Sequence, residues 1–171
     1  GALSGHNVWT TLHANSAMGA LMRLLDMGIE AFKLKDETMI RGLISMRLFK
    51  KLCPHCREKL SEKHEHPAYN RVKDAFGDLG LKQVFVRGTG CEYCNGTGNI
   101  GRIKAGEIIM TNSEFLNFAL GGETEAALKY WLEKMNGRTL KEAAIELMLR
   151  GIIGVDELER WVGMLDRPWV Y

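Results

Sequence analysis

The chain has 171 residues and a formal net charge of +2, with 46% hydrophobic and 26% charged residues. That is ordinary globular composition, long enough for one domain or for one domain and a small module. The charge gives no compositional case for nucleic acid, no apolar run approaches the roughly 20 residues needed to span a bilayer, and the opening Gly1–Trp9 lacks the basic-then-apolar order of a secretory leader.

In chain order, Asn7–His13 (NVWTTLH) is rich in β-branched and aromatic residues and predicts a strand. Asn15 or Ser16 then predicts a helix N-cap. Met18, Leu21, Met22 and Leu25 follow at helical spacing, and Gly28 marks the stop. A second helix is predicted near Asp36–Ser45, with Met39, Ile40, Leu43 and Ile44 on one face. Arg47–Leu52 reads either as a strand or as the end of that helix.

From Cys53 to Gly101 the text turns polar and rich in turn residues. It holds one predicted helix, Pro67–Leu79, with Val72, Ala75, Phe76 and Leu79 as its apolar face, and a predicted strand at Lys82–Arg87. Core-like text resumes after Ile103 with a short strand at Glu107–Met110. Thr139–Glu142 has the pattern of a capping box, in which the Thr hydroxyl and the Glu carboxylate each satisfy the other's backbone amide. Leu140, Ala143, Ala144 and Leu147 follow it, and Gly151 ends that helix. Asp156 opens another helix carrying Leu158, Trp161, Val162 and Leu165. Trp131, Trp161 and Trp169 read as core or subunit-contact anchors. The layout is an α/β start (1–52), a small cysteine module (53–101) and a return to core with a helical end (102–171).

The four cysteines form two C-x-x-C pairs, Cys53/Cys56 and Cys91/Cys94. Each pair makes a tight turn that aims two thiolates at one point, and two such turns supply the four soft ligands of a tetrahedral zinc site. Four thiolates leave no open position for water, so such a site is structural rather than catalytic. Two disulfides or free core thiols are the alternatives, and His55, His64 and His66 are close enough in sequence to substitute as ligands. The segment Cys91–Gly98, C-x-x-C-x-G-x-G, also resembles one cysteine-rich repeat of J-domain co-chaperones. That resemblance is local, because those proteins carry four repeats and Cys53–Cys56 lacks the trailing glycines.

His13 stands where a predicted strand turns into a helix, the edge at which open α/β sheets bind ligands. It could polarise a phosphate there, or simply cap the helix. The cations Arg47, Lys50, Lys51 and Arg57 read as a solvated face or as a patch for an acidic partner.

Taken together, five blocks carry a wider resemblance: SGHNVWTTLHAN, MRLLDMG, SMRLFKKLCPHC, GCEYCNGTGNIGR and GRTLKEAAIELMLRG. In order and spacing they resemble the C-terminal half of the secretion-superfamily ATPases that drive type II secretion and type IV pilus assembly. The resemblance implies the C-terminal part of a RecA-like P-loop ATPase domain, with the tetracysteine module inserted and binding zinc through Cys53, Cys56, Cys91 and Cys94. It implies that His13, in the TLHAN block, lies near the nucleotide γ-phosphate, and that His6 is a second histidine position of the family. Arg23 and Arg47 fall in blocks near the nucleotide or the subunit interface. The family implies ATP and magnesium, rings of six subunits, an inner-membrane platform protein as partner, and a cytoplasmic place peripheral to the bacterial inner membrane. The cysteine block resembles the extension and secretion branch more than the retraction branch.

Two departures qualify that reading. The G-x-x-x-x-G-K-[ST] loop and the acidic strand expected before Gly5 are absent from the sequence, and there is no initiator Met. Truncation is the simplest account, and the chain by itself is expected to bind ATP very weakly and not to hydrolyse it. After Arg102, Ile103–Glu107 (IKAGE) replaces the aromatic residue and second glycine usual in the family. The rival reading is a zinc-stapled module that binds protein or nucleic acid and has no part in ATP hydrolysis.

Overall fold

The computed structural model describes residues 5–167. The chain is mixed α/β, with seven α-helices and two two-stranded sheets among the described residues. It divides into two compact units, residues 5–45 with 107–138, and residues 46–106 with 139–167. Two long strands, β1 (Gly42–Leu52) and β4 (Asn99–Met110), pair with each other and contribute residues to both units.

The first unit begins with extended chain. Residues 6–14 hold no regular structure, so the strand predicted at Asn7–His13 does not form. β-Branched residues supply propensity, but a strand also needs a neighbour for its N–H and C=O groups, and no described strand pairs with this segment. Trp9 is 84% exposed.

Helix α1 (Ala17–Asp26) starts as its sequence predicts. Ser16 is the N-cap, its Oγ accepting the Gly19 N–H at 2.9 Å. Met18 and Leu21 are buried, Met22 and Leu25 partly so. A short α2 (Ala31–Leu34) follows.

The helix predicted over Asp36–Ser45 is replaced by a turn and the start of β1. Asp36 Oδ1 accepts from the Thr38 N–H at 2.8 Å and from its hydroxyl at 2.6 Å, a local bond that competes with helix formation. Beyond Gly42 the chain alternates: Leu43 is buried and Ile44 exposed, a period of two rather than 3.6. Helices α4 (Ser113–Leu120) and α5 (Thr124–Lys134) complete this unit around Leu21, Leu43, Ile109, Phe115, Leu116 and Trp131. The Trp131 indole N–H donates to the Ile108 carbonyl at 3.2 Å, so its burial leaves no unsatisfied donor.

The second unit packs α3 (Tyr69–Gln83), α6 (Leu140–Leu149) and α7 (Val155–Val162) over the inward side of its strands. Arg47–Leu52 is strand, part of β1. Helix α3 runs past the predicted Leu79 but is kinked at Gly77 (φ 65°, ψ −167°). The kink rotates the following turn, so Gly80 and Leu81 go inside while Leu79 is 71% exposed. Ala75, predicted inward, is exposed as well. The strand predicted over Lys82–Arg87 shrinks to β3 (Phe85–Val86), paired antiparallel with β2 (Glu58–Lys59).

The capping box at α6 forms as the sequence implies. Thr139 Oγ1 accepts the Glu142 N–H at 3.1 Å, and Glu142 Oε2 accepts the Thr139 N–H at 2.8 Å. Gly151 (φ 67°) closes the helix. Trp161 is 42% exposed, with Arg47 over its ring at 5.8 Å, so it is not a core anchor within the described residues. Trp169 lies outside the described residues.

Candidate metal centre

Cys53 closes β1, and the turn of residues 54–56 brings Cys56 round beside it. The Arg57 N–H donates to the Cys53 carbonyl at 3.0 Å and closes this knuckle. The second knuckle is a 3-10 turn, Glu92–Cys94, entered from extended Cys91 and left through Asn95 in the left-handed conformation (φ 50°). The knuckles are tied together where the Cys53 N–H donates to the Gly98 carbonyl at 3.0 Å.

All four Sγ atoms lie within 4.8 Å of one another. Three separations, Cys53–Cys91, Cys56–Cys94 and Cys91–Cys94, are each 3.8 Å. Four sulfurs held about 2.3 Å from one ion at tetrahedral corners stand about 3.8 Å apart. None of the four cysteines is in a disulfide, and the clustering removes the reading of them as scattered core thiols. The donor set fits a soft, tetrahedral divalent ion, with no sulfur position left over for water.

The surrounding backbone prepares one of the sulfurs, Cys94, to be a thiolate. Cys94 Sγ accepts the N–H groups of Cys91 and Gly98, each at 3.2 Å. Its pKa is lowered to about 6, chiefly by the Cys91 N–H with help from that of Gly98. Cys56 is pushed up to about 12, first by burial and then by the neighbouring thiol of Cys53. A divalent ion at the centre reverses that second effect, because its charge favours every thiolate at once.

Glycine makes the knuckles possible. A Cβ on Gly88 would stand 1.7 Å from the Cys56 carbonyl oxygen, and one on Gly90 (φ 105°) would stand 2.3 Å from that of Gly96. No side chain larger than hydrogen fits at either position. Sequence reasoning missed these two. The signal was the repeated Gly-Thr-Gly that brackets the second pair, at 88–90 and 96–98.

The histidines take other roles. The His55 ring lies against Tyr93, centroids 4.1 Å apart, and His64 against Tyr69 at 4.9 Å. His66 Nδ1 accepts the Ala68 N–H at 3.2 Å, and its Nε2 lies 3.4 Å from Asp156. The group placed to hold a metal ion among the described residues contains cysteines alone.

The cations read as a solvated face or as a patch do not all share one role. Arg57 donates to the Gly151 carbonyl and lies 4.1 Å from the Phe85 ring centroid. Lys50 is exposed. His13 and His6 are exposed on the extended chain of the first unit, and Arg23 is exposed in the last turn of α1. Sequence reasoning assigned no role to Glu107, which is 1% exposed and whose Oε1 accepts the Ala17 N–H at 2.6 Å. This bond anchors the first turn of α1, immediately after the segment that carries His13.

Residues 1–160 match the family described as Type II/IV secretion system protein. The chain belongs to that family. It is 31% identical over 157 residues to the type IV pilus assembly ATPase PilB of Thermus thermophilus, covering 92% of this chain and 17% of that protein. It is 34% identical over 165 residues to the type II secretion system protein E of Klebsiella pneumoniae, covering 93% of this chain and 30% of that protein. The type IV pilus assembly ATPase TfpB of Acinetobacter baylyi is 30% identical over 161 residues, with 94% and 27% covered. The chain therefore spans less than a third of the length of these curated relatives. No described helix is long and apolar enough to cross a membrane.

Proposed function

We propose that this chain is the C-terminal part of a hexameric motor ATPase that powers type IV pilus assembly or type II secretion. The observation that carries the reading is the coincidence of the family match over residues 1–160 with a four-sulfur cluster of tetrahedral dimensions. A match that broad weighs against a free-standing zinc-stapled binding module, which would need only residues 53–101.

In this reading the RecA-like core is completed by upstream sequence that supplies the phosphate loop and the acidic strand, and with them ATP and magnesium. Cys53, Cys56, Cys91 and Cys94 hold zinc as a structural ion. His13 approaches the γ-phosphate once the core is whole, and His6 belongs to the same region. Apolar side chains exposed in the first unit, Val8, Trp9 and Phe32 among them, give a longer chain or a neighbouring subunit a surface to cover. The motor works in the cytoplasm at the inner membrane, against a platform protein.

The test uses the complete protein. Its ATPase rate should fall at least about 100-fold in His13→Ala, the scale of removing one positioned polar group from a reacting phosphate, with hexamer formation and zinc content unchanged. Unaltered turnover removes His13 from the mechanism. The 171-residue chain by itself should not hydrolyse ATP, and turnover by it would overturn the reading that the phosphate loop lies upstream.

A further inference from the structure

Beside the metal centre, and wholly within the second unit, lies an open cleft of about 900 Å³. Three cations line it: Lys50 from β1, Arg87 just after β3, and Arg102 from β4. No carboxylate lines it, and the remaining lining is Thr89, Thr97, Asn99 and glycine backbone. All three cations are exposed, and none of them is in an ion pair among the described residues.

Two acids of this unit make bonds of their own. Glu157 Oε1 accepts the Lys50 backbone N–H at 2.9 Å and the Trp161 indole N–H at 3.2 Å, and Glu58 pairs with Lys63. The Thr97 hydroxyl is committed to its own turn, donating to the Cys94 carbonyl at 2.7 Å. Thr89 and the three cations are left as donors that face the cleft.

Three like charges from three separate elements repel one another unless something anionic joins them. Two of them are arginines, whose planar forks match the paired oxygens of phosphate better than a single point charge does. Glycine on the walls lets a ligand approach the backbone closely. We infer that this cleft binds a phosphate-bearing ligand carrying at least two negative charges, with the tetracysteine centre as its scaffold. The scaffold role follows from the bonds at Gly98, whose N–H meets Cys94 Sγ and whose carbonyl receives the Cys53 N–H. These bonds fix the chain at Gly98, between the cleft residues Thr97 and Asn99. The inference rests on the metal reading of the cysteines, and zinc content measured on the same sample separates failure of one from failure of the other.

The experiment titrates the zinc-loaded chain with inorganic pyrophosphate by calorimetry. In parallel, it is sedimented with vesicles of phosphatidylcholine alone and of phosphatidylcholine with phosphatidylglycerol. Pyrophosphate binding assigns a diffusible phosphate ligand, and capture by the anionic vesicles alone assigns a headgroup. In either arm Arg87→Gln and Arg102→Gln should each weaken binding about tenfold, the scale of one charge-assisted hydrogen bond, while zinc stays at one equivalent. Chelating the metal should abolish binding. Failure to bind either probe by a zinc-loaded sample overturns the inference, as does binding that survives the double substitution. Loss of zinc in the arginine variants also overturns it, since the cations would then serve only to neutralise the thiolates. Preference for duplex DNA over pyrophosphate overturns the small-ligand assignment.

Discussion

Cys94 Sγ and the Gly98 backbone N–H lie 3.2 Å apart. That bond joins the second cysteine pair to the glycine turn behind it, and the Gly98 carbonyl reaches on to the Cys53 N–H of the first pair. The two knuckles are thus one hydrogen-bonded frame before any ion is considered, and an ion would add four bonds to a frame already shaped for it. One equivalent of zinc per chain should be found by atomic absorption. Cys91→Ser or Cys56→Ser should lower zinc affinity at least about tenfold. Unaltered affinity in both would show that the sulfurs do not share an ion.

The same frame sets a pH dependence for the metal-free chain. The Cys94 thiol is depressed from its ordinary value of 9.0 to about 6. Its contribution to stability is therefore full above pH 9 and is lost as the pH falls through about 6. Cys56, raised to about 12, behaves oppositely, and its contribution is lost as pH climbs from 9 toward 12. Ultraviolet thiolate absorbance of the metal-free chain should show one step near pH 6, absent in Cys94→Ser. No step near pH 6 would contradict the bonds to Cys91 and Gly98.

Gly88 should tolerate no side chain. In Gly88→Ala the new methyl would meet the Cys56 carbonyl oxygen at 1.7 Å, so the knuckle must move. The expected loss is about 3 kcal/mol or more, with weakened zinc retention. Gly96→Ala provides the contrast, because nothing lies within 4 Å of its Cβ position and only the strain of φ 74° remains, about 1 kcal/mol. Chemical denaturation of the zinc-loaded proteins compares the two, and equal losses would show that the close approach at Gly88 has no weight.

Glu107 is the buried carboxylate of the first unit, and its bond to Ala17 sits at the positive end of α1. Glu107→Ala should destabilise the unit by about 2–3 kcal/mol, the scale of a charged hydrogen bond with a buried donor left behind. Glu107→Gln, which keeps an acceptor, should cost less. Amide hydrogen exchange at residues 17–20 is the direct readout. Unchanged protection in Glu107→Ala would mean that Ser16 alone fixes this helix start.

Some of this was legible from residues alone, because the governing forces are local. The N-cap at Ser16, the capping box of Thr139 and Glu142, and the stop at Gly151 depend on side chains within a few residues of the backbone they serve. The two C-x-x-C turns are local as well, and tight turns with one ligand chemistry imply a shared site. Where neighbours in space decide, local reading failed. Asn7–His13 has strand composition, yet composition cannot supply a partner strand. The Asp36–Ser45 segment has helix-spaced apolar residues, yet the Asp36–Thr38 turn and the pairing of β1 with β4 outcompete a helix. The Gly77 kink turned Leu79 out of the face predicted for α3. The sequence by itself determined that four cysteines could meet and where α1 and α6 begin. Only the tertiary structure decided which sulfurs stand 3.8 Å apart, that Gly88 must be bare, that Glu107 would reach across 90 residues to Ala17, and that Lys50, Arg87 and Arg102 would line one cleft. These are contacts between residues far apart in the chain, and their energies exist only once the backbone has closed around them.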